Sequence, residues 1–229
     1  FYFTNTVTGR TESDKTAKTY AAYTRPNSGS PTTQVVEESS GRTTTSSATV
    51  AVSTPTAAGS VAGTLSSSTA EKLLQSAKST ETLGNNAVIE IAIETQANIK
   101  TVSVEIPATV FKKVASETDA DVKLQTSLGT VSFDAKAVET ISATATDGQI
   151  KIEIAKADTA ELSETVKQIV GDRPVYDFTV SSGNNTISHF NGGNASISIP
   201  YTLQENEKPE AVVVYYVDDA GKLTAVEGK

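Results

Sequence analysis

The chain has 229 residues, 37% of them hydrophobic and 20% charged, with a formal net charge of -8 and no Cys, Met or Trp. That composition excludes disulfides and thiolate metal sites, and an acidic chain repels nucleic acid and anionic membrane surfaces. No apolar run approaches the roughly 20 residues that a bilayer-spanning helix needs, so no membrane insertion is expected.

Three zones follow in chain order. Residues 1–26, "FYFTNTVTGRTESDKTAKTYAAYTRP", open with an alternating aromatic and polar stretch. It reads as a strand segment, either the end of a preceding domain or a strand donated to a neighbour. The Phe1 start and the lack of a leader-like apolar run suggest a mature or excised piece. Residues 27–69 are dominated by Ser, Thr, Gly, Pro and Ala. Low hydrophobicity makes them a Ser/Thr-rich linker, with "SATVAVST" able to add an edge strand and the tract open to O-glycosylation.

Residues 70–229 are expected to form a β-rich body. "STAEKLLQSAKST" places Leu73, Leu74 and Ala77 on one face behind Ser68 or Thr69 as a cap, which predicts a short helix. "AVIEIAIET" alternates Ile89, Ile91 and Ile93 against polar neighbours, and "IKTVSVEIP" is a second strand that stops at Pro107. Pro107 can open a helix over "PATVFKKVAS". "ADVKLQTSLGTVSFDAKAVETI" reads as strand, turn, strand and a helix carrying Ala137, Val138 and Ile141. "DGQIKIEIAKA" is another strand, and "DTAELSETVKQIVG" a helix with Leu162, Val166 and Ile169 inward and Gly171 as its stop. "PVYDFTVSSG", "NTISHF", "NASISIPYTL", "AVVVYYVDD" and "LTAV" are all strand-like. The expected fold class is mainly β: an antiparallel β-sandwich decorated with short α-helices. Ile89, Ile91, Ile93, Val102, Val104, Ile106, Ile152, Ile154, Val212, Val214 and Tyr216 are its expected core.

The ordered series "VSVEIPATVFKKVA", "LQTSLGTVSFDAKAVETI", "VGDRPVYDFTVSSGNNTISHFNGG" and "ASISIPYTLQENEKPEAVVVYYVDDAGKLTAVEGK" resembles a module of large surface proteins of Gram-positive-type bacteria. That module is often found ahead of S-layer homology repeats. The resemblance covers about residues 99–229 and implies a non-catalytic module. No S-layer homology repeat is present, and the pattern leads one to expect a further strand after "VEGK". "FYFTNT" resembles the closing strand of a collagen-adhesin B-type or pilin-like domain. That likeness implies Asn5 as an isopeptide partner, although the matching Lys and acid are not visible upstream.

Candidate chemistry is sparse. His189 is the only histidine, beside Ser188 and ahead of "FNGGN". Strand neighbours point to opposite faces, so Ser188 is badly placed as its nucleophile, and no G-x-S-x-G elbow occurs. His189 reads as an ordinary residue at a strand end, and the Gly and Asn residues as a turn. "VDDAGKL" makes a hairpin turn better than a calcium loop, and Asp119 with Asp121 is the remaining acidic pair. Glu90, Glu94, Glu105 and Glu153 fall on the polar faces of strands, where a glycosidase would need two facing across a cleft. Asn184 and Asn194 sit in N-x-S/T patterns and are candidate glycan acceptors.

The resulting expectation is a non-catalytic spacer or assembly unit of an extracellular protein at the cell surface or wall, with no cofactor. Its expected partners are other domains of the same protein or other copies of itself, with a cell-wall polymer as a further partner. One alternative is a fibre or S-layer subunit using a donated N-terminal strand; residues 1–8 folded onto their own body would count against it. The other is a glycan- or host-protein-binding adhesin module, which needs exposed rings among Tyr20, Tyr23, Tyr176, Tyr201 and Tyr215.

Overall fold

The computed structural model describes residues 34–96, 98–146, 148–203, 205, 207–218 and 222–226, together with the backbone of residues 2–4. Alternation of Ile or Val with polar residues builds most strands, and runs of apolar residues at three- and four-residue spacing build the helices. In chain order the elements are β1 (Tyr2–Thr4), β2 (Val35–Ser40), β3 (Thr43–Thr49), β4 (Ser60–Thr64), α1 (Ser67–Thr82), β5 (Asn86–Ala92) and β6 (Thr101–Pro107). There follow α2 (Ala108–Glu117), β7 (Asp121–Thr126), β8 (Gly129–Phe133), α3 (Ala135–Thr144), β9 (Gln149–Lys156) and α4 (Glu164–Val170). The last are β10 (Val175–Ser182), β11 (Asn185–Thr186), β12 (Ala195–Ser198), β13 (Val214–Val217) and β14 (Leu223–Val226).

One sheet runs β14-β13-β1-β10-β9-β6-β4, with β11 added on β10; the other runs β12-β8-β7-β5-β3-β2. The expected antiparallel sandwich is therefore corrected: both sheets are mixed, and the fold is α/β. β3 pairs β5, β5 pairs β7 and β4 pairs β6 in parallel. Parallel neighbours need a long crossover, and here each crossover passes through the opposite sheet together with a helix. Helices α1, α2 and α3 each carry the chain from one sheet to the other, so they are part of the architecture and not decoration.

A single core joins the inner faces of both sheets to the apolar stripes of α1, α2 and α3. Ile89, Ile91, Ile93, Val102, Val104, Ile106, Ile152 and Ile154 are buried as their alternation predicts. Each such side chain contributes about 1.5–3 kcal/mol through its transfer from water. A second, smaller core gathers Val166 and Val170 of α4, Val175 of β10 and Val217 of β13. Here the sequence reading fails by one register: Val212, Val214 and Tyr216 are only half-buried, and Val217 is the inward residue.

Three other expectations change. The segment read as linker, 27–69, carries β2, β3, β4 and the first residues of α1 in its described part, with Thr44, Ser46, Ala48, Val50 and Val61 buried. Thr is a good strand former, and the small hydroxyl of Ser46 is satisfied inside by Ser76 of α1 at 2.6 Å. The helix expected over 158–171 is a short 3-10 turn followed by α4, which Ser163 caps, and Ile169 points to solvent. "NTISHF" is strand only at Asn185 and Thr186. Residues 188–190 leave the sheet, while Ile187 remains buried and its N–H still bonds the Val180 carbonyl of β10 at 2.8 Å.

In the N-terminal segment, β1 lies antiparallel between β10 and β13 of its own chain. In this arrangement residues 2–4 pair within their own chain.

Candidate functional site

The segment around His189 is held as a strap across the start of α3. Asp134 caps that helix, its Oδ1 accepting the Ala137 N–H at 2.8 Å. Its Oδ2 accepts both the backbone N–H and the side-chain amide of Asn194, at 2.9 and 2.8 Å. One turn along, the Thr140 hydroxyl donates to the Phe190 carbonyl at 2.8 Å. The Phe190 ring packs edge-on against Phe133, 5.6 Å between centroids. Between these anchors Asn191 and Gly192 take positive φ, 47° and 89°, as the turn reading requires.

Gly193 is needed for a different reason. A Cβ there would lie 2.2 Å from the Ala137 nitrogen and 2.6 Å from its Cα, atoms of the α3 backbone that cannot move aside. Partial burial pushes the Asp134 carboxyl up, but the N–H groups of Ala137, Asn194 and Lys136 and the Asn194 amide outweigh it and leave the pKa lowered.

The Ser188 hydroxyl does touch His189, 2.9 Å from Nδ1, because neither residue lies in a strand. The alternation argument against the pair does not apply. Both side chains are exposed, and the serine occupies the ring nitrogen that an orienting acid holds in a hydrolytic triad.

Glu90, Glu105 and Glu153 occupy outer sheet faces, whereas Glu94 lies beyond the end of β5. Glu90 pairs with Lys123, its cross-strand neighbour, at 2.7 Å, and Glu153 with Lys151 at 2.6 Å. Glu105 accepts from Thr64 at 3.5 Å, and Glu94 is exposed. Asp119 and Asp121 do not act as a pair. The Asp119 N–H is bonded to Glu81, while Asp121 accepts the Ala135 N–H. Burial, and then the charge of Asp134, raise the Asp121 carboxyl despite that bond. Among the described residues, no group of three or more His, Cys, Asp or Glu is arranged to hold a metal ion.

A second polar cluster was not foreseen. Arg173, just after α4, donates to Glu207 Oε1 through Nε and Nη2 at 3.2 and 2.7 Å, and the Tyr201 hydroxyl donates to Glu207 Oε2 at 2.5 Å. This clasp ties the loop beyond β12 to the α4–β10 corner. The bond to Glu207 is the main cause that raises the pKa of both Arg173 and Tyr201. Of the candidate recognition rings, Tyr176 is buried, Tyr201 and Tyr215 are half-buried, and Tyr20 and Tyr23 lie outside the described residues. Asn5 lies outside them as well. Asn184 is exposed in the turn between β10 and β11, whereas the Asn194 amide is committed to Asp134.

Asp134 was not among the candidate residues, although an Asp directly ahead of a helix is the signal for such a cap. Its partner 60 residues away was not legible, and neither was the Arg173–Glu207 pairing, because a surface ion pair leaves no periodic signal. Compared with known proteins, the chain matches no family model, no curated protein and no solved structure.

Proposed function

We propose that the chain is a structural, non-catalytic module of an extracellular cell-surface protein, acting as a spacer or assembly unit. One observation carries this reading: most of the acidic and amide side chains weighed as candidates are spent on holding the body together. Asp134 and Asn194 clamp the strap to α3, Glu207 joins Arg173 and Tyr201, and Glu90 and Glu153 close ion pairs on the sheet faces. A load-spacing or packing element needs this kind of firmness, a charged exterior, and sheet edges that do not stick indiscriminately. At one edge, residues 50–53 cover β4 through the Ser53 N–H to the Ala62 carbonyl at 2.8 Å and the Val52–Gly63 bridge. At an edge of the other sheet, β2 carries Glu37 and Glu38, charges that deter further strand addition.

The adhesin alternative is supported less well, since Tyr176 is inside and Tyr201 already has a partner. The test is surface labelling of the source cells. Antibodies against residues 70–229 should stain intact cells as strongly as permeabilised ones. Staining that appears only after permeabilisation would overturn the assignment.

A further inference from the structure

β1 occupies an unusual place. It is three residues long and lies near the start of the chain, yet it sits inside a sheet with a strand on either side. Tyr2, Phe3 and Thr4 register with Asp177, Tyr176 and Val175 of β10 on one side. On the other side they register with Val217, Tyr216 and Tyr215 of β13. Among the described residues, the hairpin β13–β14 joins the rest of its sheet through β1 alone. Without β1, the facing edges of β10 and β13 would form an open slot, while Val217 and Leu223 would still hold the hairpin against Val166, Val170 and Val175.

We infer that this slot is a strand-exchange site, and that residues 2–4 of a second copy of the chain can fill it in place of the chain's own β1. This deepens the assembly reading above and rests on it. The ladder contacts are the same whichever copy supplies the strand, so concentration alone decides between them. In the sequence 29 residues, 5–33, lie between β1 and the next described residue, and the covalent reach of 29 residues is at most about 100 Å, so chain length does not forbid reaching a neighbour. Effective concentrations of covalently linked segments are on the order of millimolar, so exchange is sought at about that protein concentration. For a 23.9 kDa chain, one millimolar is about 24 mg/mL. Dilute protein is monomeric, and densely packed protein links copy to copy.

The natural lack of cysteine makes disulfide trapping clean. Registered antiparallel partners lie about 4.5–5.5 Å apart at Cα, inside the span a disulfide bridges. Full-length Phe3→Cys and Tyr216→Cys proteins are mixed, unfolded in urea with reductant, and refolded at micromolar or millimolar concentration before oxidation. The expected result is a linked heterodimer at millimolar protein, several-fold above a Phe3→Cys plus Lys136→Cys control, and little at micromolar. The Phe3→Cys/Tyr216→Cys double variant should close an intrachain bond in dilute solution. Folded variants with no heterodimer above the control at millimolar concentration overturn the exchange, while leaving a monomeric spacer standing. Failure of the intrachain bond in a folded double variant overturns the slot itself. If Tyr216→Cys does not fold, Thr4→Cys with Tyr215→Cys tests the same ladder one position along.

Discussion

Replacing Gly193 by Ala tests whether the strap over α3 holds the body together or merely lies on it. The added methyl would sit 2.2 Å from the Ala137 nitrogen, 2.6 Å from its Cα and 2.7 Å from the Lys136 carbonyl carbon, all backbone of a hydrogen-bonded helix. No side-chain rotation relieves such a contact, so the strap must lift. Lifting breaks the two bonds from Asn194 to Asp134 and strains the bond from Thr140 to Phe190. Bonds to a charged group contribute about 1.5–3 kcal/mol each when intact, and overpacking alone costs about 1–3 kcal/mol. Water replaces part of what is lost at this exposed edge, which brings the expected total to about 3 kcal/mol. For a unit of this size, about 3 kcal/mol lowers Tm by roughly 6–12 °C. Gly192→Ala is the internal comparison. Its φ of 89° disfavours a side chain, but an added Cβ meets nothing within 4 Å. The cost there is about 1–2 kcal/mol of backbone strain. Differential scanning calorimetry should rank the proteins wild type, Gly192→Ala, Gly193→Ala in falling Tm. A Gly193→Ala protein within about 1 °C of wild type, or above Gly192→Ala, refutes the clamp.

The same clamp has a pH signature. The Asp134 pKa is lowered in the fold, so its contribution is fully present above the ordinary value of 3.8 and is lost as pH falls through the lowered one. The stability gap between wild type and Asp134→Asn, measured by urea denaturation, should be constant from pH 7 to about 5 and shrink below about 4; a gap that persists unchanged at the lowest pH is the contrary result. Glu207→Gln should weaken the Arg173 and Tyr201 bonds, costing about 1 kcal/mol after allowance for the exposed guanidinium. It should also return Tyr201 from its raised pKa toward 10.0, visible as a change in the ultraviolet titration of phenolate. Ile152→Ala, at 1% exposure, should cost about 2–5 kcal/mol, whereas Val213→Ala, at 46% exposure, should stay within about 0.5 kcal/mol. Similar losses for the two would mean that the environments of β9 and of Val213, just before β13, have been misassigned.

The mixed topology also changes what the polar N-terminal region does. β3 carries "TTTSSAT", a sequence that looks like linker, yet it sits between β2 and β5 in the second sheet. Removing residues 27–69 as dispensable would delete two strands of one sheet and one of the other.

The sequence by itself determined the elements and their inward faces wherever one period dominated. The Ile and Val alternations of β5, β6 and β9, and the stripe Leu73–Leu74–Ala77, all bury as read, because side-chain direction follows the backbone repeat. Gly171 ends α4 as read, whereas the caps Asp134 and Ser163 were recognised only in the folded chain. Tertiary structure alone decided strand direction and partnership. Alternation is the same in a parallel and an antiparallel ladder, so nothing in β3, β5 or β7 announces their parallel pairing. It also decided that Ser and Thr strands can be core when a neighbouring hydroxyl meets theirs, as Ser76 meets Ser46. Finally, it decided that "FNGGN" is a clamp as well as a turn. The turn chemistry is local to Asn191 and Gly192, but the need for glycine at 193 comes from a helix more than 50 residues earlier in the chain.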